Sequence, residues 1–381
     1  MSSSIADYYI EWRSSAGVRR AVLPLAGGPN QTTGINRLVY RRELNGPGYV
    51  QLVAPSSLGP LSTFADKDQI QVWRRPAGQA WAIDFEGIFR DELYADDAYG
   101  QELVTLSGPG VMALLSWYHV LWYSNTTNRT AFSNVAAETI LKTLVTRNAV
   151  AASATIAAGR LRDAANLGIS VQADTAAGNT ITVRMGAWQN LLTVLQQIQL
   201  VAGLDMDLVR TGNATWEFRT YAVRGTDRRS QYVVAREYGT MTGARYELVR
   251  SREATVGIVL GQGEESARAI RIVTGPTYNV TSNNIETSIE ASDIQCSIGQ
   301  NDAMDERGEA YLDDVAARPT IQFQVTPTPS VRYGVNLDLG DLLTASHPRM
   351  GTVDVQVTAI TVEVDTGLAA GERVTIEVRT L

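Results

Sequence analysis

The residues that come closest to a chemical site lie in the stretch "YGVNLDLGDLLTASHP", residues 333–348. Asp338 and Asp341 flank Gly340, and His347 follows, so the stretch holds three groups of the kinds that bind metal ions. The apolar residues before Gly340 alternate along the chain, however, and a Gly-Asp pair after a strand supplies glycine's backbone freedom and an Asx-type hydrogen bond. The spacing therefore predicts a turn between two strands, and not a metal site.

The rest of the sequence offers little for catalysis. His119 and His347 are the only histidines and fall in different predicted domains, which argues against a His-rich metal site or a Ser-His-Asp triad. The glycines of "GQGEES", residues 261–266, precede an alternating strand pattern, which predicts a hairpin turn and not a phosphate-binding loop. The residues therefore indicate no catalytic site, and we expect no bound metal and no cofactor.

One aromatic run is a candidate for recognition. Trp117, Tyr118, Trp122 and Tyr123 lie together where the sequence pattern changes, at a predicted domain junction. Aromatic side chains of this kind fill cores, pack between domains, anchor protein interfaces or stack on sugar rings. The position at a junction favours core or inter-domain packing, with a protein interface as the next interpretation and sugar binding as the third.

Composition limits the class of protein. The chain has 381 residues, 44% of them hydrophobic, and a net charge of -7 with acidic and basic residues interspersed, which is atypical of a dedicated nucleic-acid binder. Its single cysteine, Cys296, allows no intrachain disulfide. The first residues do not resemble a signal peptide, and no window is apolar for long enough to form a membrane helix. We expect synthesis in a cytoplasm and no membrane segment.

The hydrophobic pattern predicts an α+β protein that is mainly β, with two antiparallel β-barrel-like domains that each carry an insert. Short alternating strands between Gly- and Pro-rich turns fill residues 1–110, the first such domain. Residues 111–205 read as an α/β inserted domain. Strands return in 206–273 and 320–381, the second β-domain, and 274–319 form an inserted helical and strand segment.

Three elements are specified in more detail. The stripe of apolar residues in "AWQNLLTVLQQIQLVAGL" predicts a helix that ends with Gly203 at the C′ position. Two further helices are expected, one capped by Ser133 or Asn134 and one over residues 302–317. In "GTVDVQVTAITVEVD", the alternation of valines changes phase midway, which predicts a β-bulge, a bend at a barrel corner or burial on both faces.

The order of several motifs along the chain resembles the tail hub proteins of long-tailed bacteriophages, in their Gp37-like siphovirus branch. "FEGIFRDELY", "QELVTLSGPGVMALLSWY" and "WQNLLTVLQQIQLVAGLDMDLV" are similar to successive elements of that family. A G-x-D-R turn and a Y-x-x-D-x-x-L-G-D-like pattern follow, although the first Asp of the second pattern is offset here. The motif residues, to which the resemblance gives a structural role, are Gly225, Asp227, Arg228, Tyr333, Asp338, Gly340 and Asp341.

The resemblance implies a structural, non-enzymatic protein of the virion tail tip. Hubs of this family form homotrimers whose two β-barrel-like domains per chain make a pseudo-sixfold ring at the distal end of the tail tube. The implied partners are the distal tail protein, the C-terminus of the tape measure protein, and tail fibre or spike proteins. DNA would pass through the lumen without sequence-specific recognition.

Two alternatives stay open. The aromatic run and the scattered carboxylate pairs would also suit a carbohydrate-binding or cell-wall-degrading tail enzyme. A hub from a gene-transfer particle or a contractile injection machine would share the same fold and differ only in its context.

Overall fold

The fold is mainly β, as the sequence predicts. The computed structural model describes residues 6–25, 34–123, 129–164, 168–186, 189–231, 233–279, 284–292, 294, 302–317, 319–326, 331–349, 351–365 and 371–381. Their strands are divided among several sheets, and three α-helices lie within or beside the two inserted regions. Among the described residues, no helix has the length and apolar character needed to cross a membrane.

The N-terminal part of the chain contains eight strands in two sheets. β1, β2, β5 and β6 form a four-stranded sheet in the order β2-β1-β5-β6, and the other four join a larger sheet. The strands are β1 (Ala6–Arg13), β2 (Arg19–Pro24), β3 (Arg37–Glu43), β4 (Tyr49–Pro55), β5 (Gln69–Pro76), β6 (Ala82–Ile88), β7 (Asp91–Asp96) and β8 (Glu102–Pro109).

The inserted α/β unit follows a short 3-10 helix, Val111–Trp117. Its sheets are β10-β13-β12 and β11-β9, and its two helices pack against each other. The unit therefore includes β12 and β13, which begin at residue 205 or later, whereas the sequence pattern predicts an inserted domain that ends at 205. The alternating patterns of these two strands look no different in sequence from those of the β-domains. The elements are β9 (Arg129–Ala136), α1 (Ala137–Ala149), β10 (Ile169–Val171), β11 (Thr180–Gly186), α2 (Leu191–Ala202), β12 (Asp205–Gly212) and β13 (Thr215–Tyr221).

The two helices of this unit differ in how well the sequence specified them. α2 begins after Asn190, whose side chain accepts a hydrogen bond from the Thr193 N–H, and ends at Gly203 with a left-handed backbone, which confirms the predicted C-terminus. Trp188, the first residue of the predicted apolar stripe, lies outside the described residues. The predicted cap of α1 at Ser133 or Asn134 is wrong: both residues belong to β9, which pairs with β11, and the helix begins only at Ala137.

The C-terminal part contains the remaining strands and α3. β17-β16-β18 form a separate three-stranded sheet that packs against α3, the helix expected over 302–317. The elements are β14 (Val233–Ala235), β15 (Met241–Leu248), β16 (Val256–Leu260), β17 (Ile270–Thr274), β18 (Glu286–Glu290), α3 (Asp302–Val315), β19 (Pro319–Val325), β20 (Leu342–His347), β21 (Gly351–Asp365) and β22 (Arg373–Thr380).

A ten-stranded sheet joins both ends of the chain. Its main path runs β15-β19-β22-β21-β3-β4-β8-β7, and β20 pairs with β21 on one side and with β14 on the other. Strands assigned from sequence to two β-domains thus share one sheet, which stays open among the described residues. Apolar side chains from this sheet and from the four-stranded sheet form a single core, including Ile10, Tyr40, Ile70, Phe323 and Ile360.

The main path consists of two runs with the same strand order. The first run is β3-β4-β8-β7 and the second is β15-β19-β22-β21. If the four strands of each run are numbered by their order along the chain, their order across the sheet is first, second, fourth, third. Every neighbouring pair in both runs is antiparallel. The chain therefore presents the same four-stranded arrangement twice.

β21 connects the two runs. Residues 351–356 pair with β20, and residues 359–365 pair antiparallel with β3. The register with β22 shifts between Val357 and Ala359, which confirms the β-bulge predicted from the phase change. The bulge keeps Val357 and Ile360 both fully buried although they are an odd number of residues apart.

Asn45 holds the inserted unit against the sheet. Its side chain donates to the Asp205 carboxylate over 3.0 Å and accepts from the Met206 N–H over 2.7 Å. Asp205 is 3% exposed and also accepts from the Gln356 amide of β21 and from the Arg224 N–H, each over 3.0 Å. One buried carboxylate thus joins β12, the loop after β13 and β21.

Glu138 has a similar role inside the inserted unit. Its buried carboxylate accepts hydrogen bonds from Lys142, from the backbone and hydroxyl of Thr175, from the Ala177 N–H and from Thr220. Burial alone would raise the pKa of this carboxyl, but the hydrogen bonds outweigh burial and lower the pKa from its ordinary 4.5 to about 2. The loop before β11 is thereby attached to α1.

We expect Glu138→Gln to lower the free energy of unfolding by about 2 kcal/mol at neutral pH, because the charged acceptor is lost. The folded-state pKa lies below the unfolded one, so the carboxylate stabilises the fold above about pH 4.5, and this contribution declines as the pH falls towards 2. Urea denaturation of wild type and variant across this pH range measures the difference. Glu309→Gln, at an exposed position of α3, is the control; a wild-type advantage that does not shrink below pH 4.5 contradicts the assignment.

Candidate functional site

The buried carboxylate of Asp341 joins two of the motifs singled out in the sequence. It is 2% exposed, and it accepts hydrogen bonds from the Thr226 N–H over 2.7 Å, from Arg228 Nε over 2.8 Å and from the Asp338 N–H over 2.9 Å. The backbones also pair, because the Leu342 N–H donates to the Thr226 carbonyl and the Arg228 N–H to the Leu342 carbonyl. The G-x-D-R loop and the L-G-D turn therefore form one structure.

Glycine is required at the contact between the two motifs. A Cβ atom on Gly225 would lie 2.2 Å from the backbone nitrogen of Asp341 and 2.2 Å from the carbonyl carbon of Gly340, far inside van der Waals contact. Gly340 itself has φ 86°, in the left-handed region. Asp227, the aspartate of the G-x-D-R motif, takes no part in the hydrogen bonds to Asp341. Its exposed carboxylate binds Arg229, and these hydrogen bonds lower the pKa of Asp227 from 3.8 to about 2.

The same turn occurs a second time, at Asp68, a residue that none of the motifs identified in the sequence includes. Asp68 is 1% exposed and accepts from the Ala65 N–H three residues earlier, just as Asp341 accepts from Asp338. The Ser15 N–H and Trp12 Nε1 bind its carboxylate, as the Thr226 N–H and Arg228 bind that of Asp341. Segments 65–68 and 338–341 are therefore equivalent.

The backbone around the two turns agrees as well. Lys67 and Gly340 both have positive φ, 68° and 86°. Lys67 donates its N–H to the carbonyl of Phe89, between β6 and β7, and Gly340 donates to the carbonyl of Val357 in β21. Phe89 and Val357 in turn donate their N–H groups to the carbonyls of Asp68 and Asp341. An alignment of "ADKD" with "DLGD" is the sequence signal for this repeat, and it is hidden because lysine occupies the left-handed position where glycine is typical.

Tyr333, which is buried, and Asp338, which is half-exposed, belong to a neighbouring hydrogen-bond network. The Tyr333 hydroxyl donates to Asp84, and Arg42 donates to the Tyr333 hydroxyl over 3.0 Å and to Asp338 over 2.6 Å. Tyr40 donates to the same Asp84 carboxylate. Burial raises the pKa of the Tyr333 and Tyr40 hydroxyls well above their ordinary value. Both hydroxyls therefore stay protonated and act as hydrogen-bond donors.

Arg74 continues this network across the two sheets of the core. It is 3% exposed, binds Glu372 over 2.7 Å, donates to the Tyr333 carbonyl over 3.0 Å and lies over the Tyr333 ring. Burial alone would lower its pKa, but the interactions with the Tyr8 oxygen and the Glu372 carboxylate outweigh burial, so the pKa is raised. β5 and the segment before β22 are thus held together by a buried ion pair.

An open cleft of about 390 Å³ lies beside the two motifs. Its charged side chains are already paired: Arg224 with Asp207, Arg228 with Asp341, and Asp338 with Arg42. Within the described part of the chain, no three His, Cys, Asp or Glu side chains are grouped in a way that could hold a metal ion. His347 stacks on the Tyr246 ring, with 5.6 Å between the ring centroids. The arrangement can fix loops in place, because its charged groups are held in ion pairs.

The aromatic run lies at the edge of the inserted unit. Trp117 and Tyr118 are half-buried and pack on that unit's core. Lys67 Nζ lies 5.7 Å and Arg90 Cζ 5.3 Å from the centroid of the Trp117 ring. A residue of the Asp68 turn, Lys67, therefore contacts the inserted unit. Trp122 packs on Phe132, and Tyr123 is half-buried.

Two other sequence features can be placed. "GQGEES" lies between the antiparallel strands β16 and β17, which confirms a hairpin connection. Cys296 lies outside the described residues.

The fold is that of phage tail proteins. The chain is similar to the 43 kDa tail protein of prophage MuSo2 from Shewanella oneidensis (TM-score 0.57, 13% identity, 97% of this chain and 98% of that chain). It is also similar to the tail protein from Neisseria meningitidis MC58 (TM-score 0.55, 12% identity, 98% and 96%). A chain of the lidded PdpA–VgrG complex of Francisella has a TM-score of 0.51 at 9% identity, over 98% of this chain and 53% of that one.

Family membership is more specific than the fold. The family model for the siphovirus ReqiPepy6 Gp37-like protein matches residues 30–376, and the chain belongs to this family. This match confirms the resemblance inferred from the order of the sequence motifs. Among curated proteins, none matches the chain.

We expect Asp341→Asn to lower the free energy of unfolding by about 3 kcal/mol, because Arg228 loses its buried partner and the amide NH2 faces the donors that bind the carboxylate. Denaturant unfolding monitored by tryptophan fluorescence measures the loss. Asp227→Asn removes an exposed carboxylate two residues from the same loop glycine and is the matched control; because its ion pair with Arg229 is exposed to solvent, a much smaller loss is expected. Equal midpoints for wild type and Asp341→Asn would show that the turn does not depend on this charge.

Proposed function

We propose that this protein is the structural hub of a siphovirus tail. In this proposal, a homotrimer forms a pseudo-sixfold ring at the distal end of the tail tube. The ring joins the distal tail protein, the C-terminus of the tape measure protein, and the fibre or spike proteins, and DNA passes through it. The protein acts by binding and carries no enzyme activity.

The observation that carries this proposal is the repeat within the chain. The two four-stranded runs and their two aspartate turns give each chain two similar units. Three copies therefore supply six similar units, which suits a protein that meets a sixfold tube. Membership of a siphovirus family supports the tail context. The paired charges of the cleft beside Asp341 favour a structural role over the hydrolytic alternative.

We further propose that the aromatic run packs the inserted unit onto the β-rich body and binds no sugar. Trp117 carries this role, because Lys67 and Arg90 of the body flank its ring. Cations over an indole face add to the packing of the ring itself.

For the hub proposal, we expect gold label on an epitope-tagged chain to lie at the tail end distal to the capsid in electron micrographs of particles. A tag on the tail tube protein is the control, and its label should follow the whole tube. Label on the capsid or along the tube would overturn the proposal. Particles assembled without the chain should have defective or missing tail tips.

For the aromatic run, we expect Trp117→Ala to lower the free energy of unfolding by about 2 kcal/mol, through lost packing and lost cation–π contacts. Tyr99→Ala, at a 95% exposed hairpin tip, is the matched aromatic control and should leave stability unchanged. Calorimetry with cell-wall glycan fragments should show no binding to either wild type or variant. A stable, folded Trp117→Ala protein that has lost measurable glycan binding would contradict the packing role.

A further inference from the structure

We propose that β7 of one protomer pairs antiparallel with β15 of a second copy of this chain, an inference that rests on the ring proposed above. β7 and β15 are the two ends of the main path of the ten-stranded sheet. Among the described strands, β7 pairs only with β8, and β15 only with β19. Each therefore has one edge that no other described strand covers, where backbone N–H and C=O groups can bind a further strand.

The junction inside the chain supplies the template for the junction between chains. β21, at the end of the second run, pairs antiparallel with β3, at the start of the first run. β7 is the last strand of the first run, as β21 is of the second run. β15 is the first strand of the second run, as β3 is of the first run. A β7–β15 pair between copies would repeat the β21–β3 pair, so that the sheet would continue from copy to copy with the same order of strands.

The two aspartate turns place β7 and β21 in the same relation to their runs. Phe89, bound to the Asp68 turn, lies just before β7, and Val357, bound to the Asp341 turn, lies just before the part of β21 that pairs with β3. The equivalence of β7 and β21 thus rests on local hydrogen bonds as well as on strand order.

Exposure distinguishes β7 from its buried counterpart. All six residues of β7 are exposed, including Leu93 at 63% and Tyr94 at 47%. On β21, Ile360 and Val362 are fully buried. Long exposed edge strands with apolar side chains are avoided in proteins that act alone, since they invite pairing with other chains. A second copy would cover this strand.

The charges of the free edges match those of the internal junction. There, Arg37 and Arg41 of β3 bind Glu363 of β21 and Glu377 of β22. β15, the counterpart of β3, carries Arg245 with 67% of its side chain exposed; within the chain Arg245 pairs with Glu247 of the same strand over 3.2 Å, and carboxylates of a second copy would compete for it. β7, the counterpart of β21, carries Asp91, Glu92 and Asp96. Opposite charges on different edges favour a head-to-tail contact, which closes into a ring.

Proline at Tyr94 tests the backbone pairing directly. The Asp97 N–H donates to the Gln101 carbonyl, and hydrogen-bonded pairs alternate along the β7–β8 ladder, so the Tyr94 N–H points away from β8. Tyr94→Pro therefore removes a donor only from the free edge, a position that proline tolerates. Tyr94→Ala keeps the N–H and removes the ring, and is the matched control. Arg245→Glu changes the opposite edge.

Sedimentation velocity over a concentration series measures association. We expect wild type to form a closed oligomer, Tyr94→Ala to weaken it slightly, and Tyr94→Pro and Arg245→Glu each to raise the dissociation constant at least about tenfold. A mixture of Tyr94→Pro and Arg245→Glu proteins retains one intact edge on each, so it should form heterodimers but no ring. Circular dichroism checks folding, and if Tyr94→Pro does not fold, Arg245→Glu and its reversal by Glu92→Arg give the same test.

The outcomes separate this inference from the hub proposal. If wild type and both edge variants form the same closed oligomer, β7–β15 pairing is wrong and the ring closes through another surface. If wild type sediments only as a monomer, the pairing between copies is also overturned. The position of gold label on particles then decides the hub proposal independently.

Discussion

A carboxylate cannot be buried without a full set of donors, and this constraint shapes the core of the molecule. Asp68 and Asp341 are each almost completely removed from water, and each is surrounded by N–H groups from its own turn and from a distant segment. Because an unpaired buried charge costs several kcal/mol, the distant segments must come to the turns for the sheet to form. Loops 14–15 and 225–228 are thereby fixed, and with them the approach of the neighbouring strands.

The network around Arg74 and Asp84 applies the same constraint between sheets. Arg74 lies on the four-stranded sheet, and its partner Glu372 immediately precedes β22 of the ten-stranded sheet. Such a pair adds little net stability relative to an apolar contact, but it tolerates only one relative position of its two partners. Combined with the aromatic and aliphatic core, it selects one arrangement of the sheets where hydrophobic burial alone would accept several.

The sequence was most informative where local chemistry decides the structure. Asn190, Gly203 and the apolar stripe between them specified α2, and the phase change in β21 specified its bulge. The start of α1 was missed because Phe132 and Val135 continue an apolar pattern into a strand whose pairing with β11 is not local. The junction of β3 with β21 joins residues more than 300 positions apart, and no local pattern encodes it. The repeat of the aspartate turn was hidden by Lys67, whose left-handed backbone is imposed by its surroundings.

β21 has a mechanical consequence. A single strand of 15 residues carries hydrogen bonds to β22 on one side and to β20 and then β3 on the other. Because these bonds lie perpendicular to the strand, a pull along β21 loads many of them in shear at once, and none can open before its neighbours. Tension applied to one run is therefore passed to the other without a hinge between them. The β-rich body therefore resists extension as one piece.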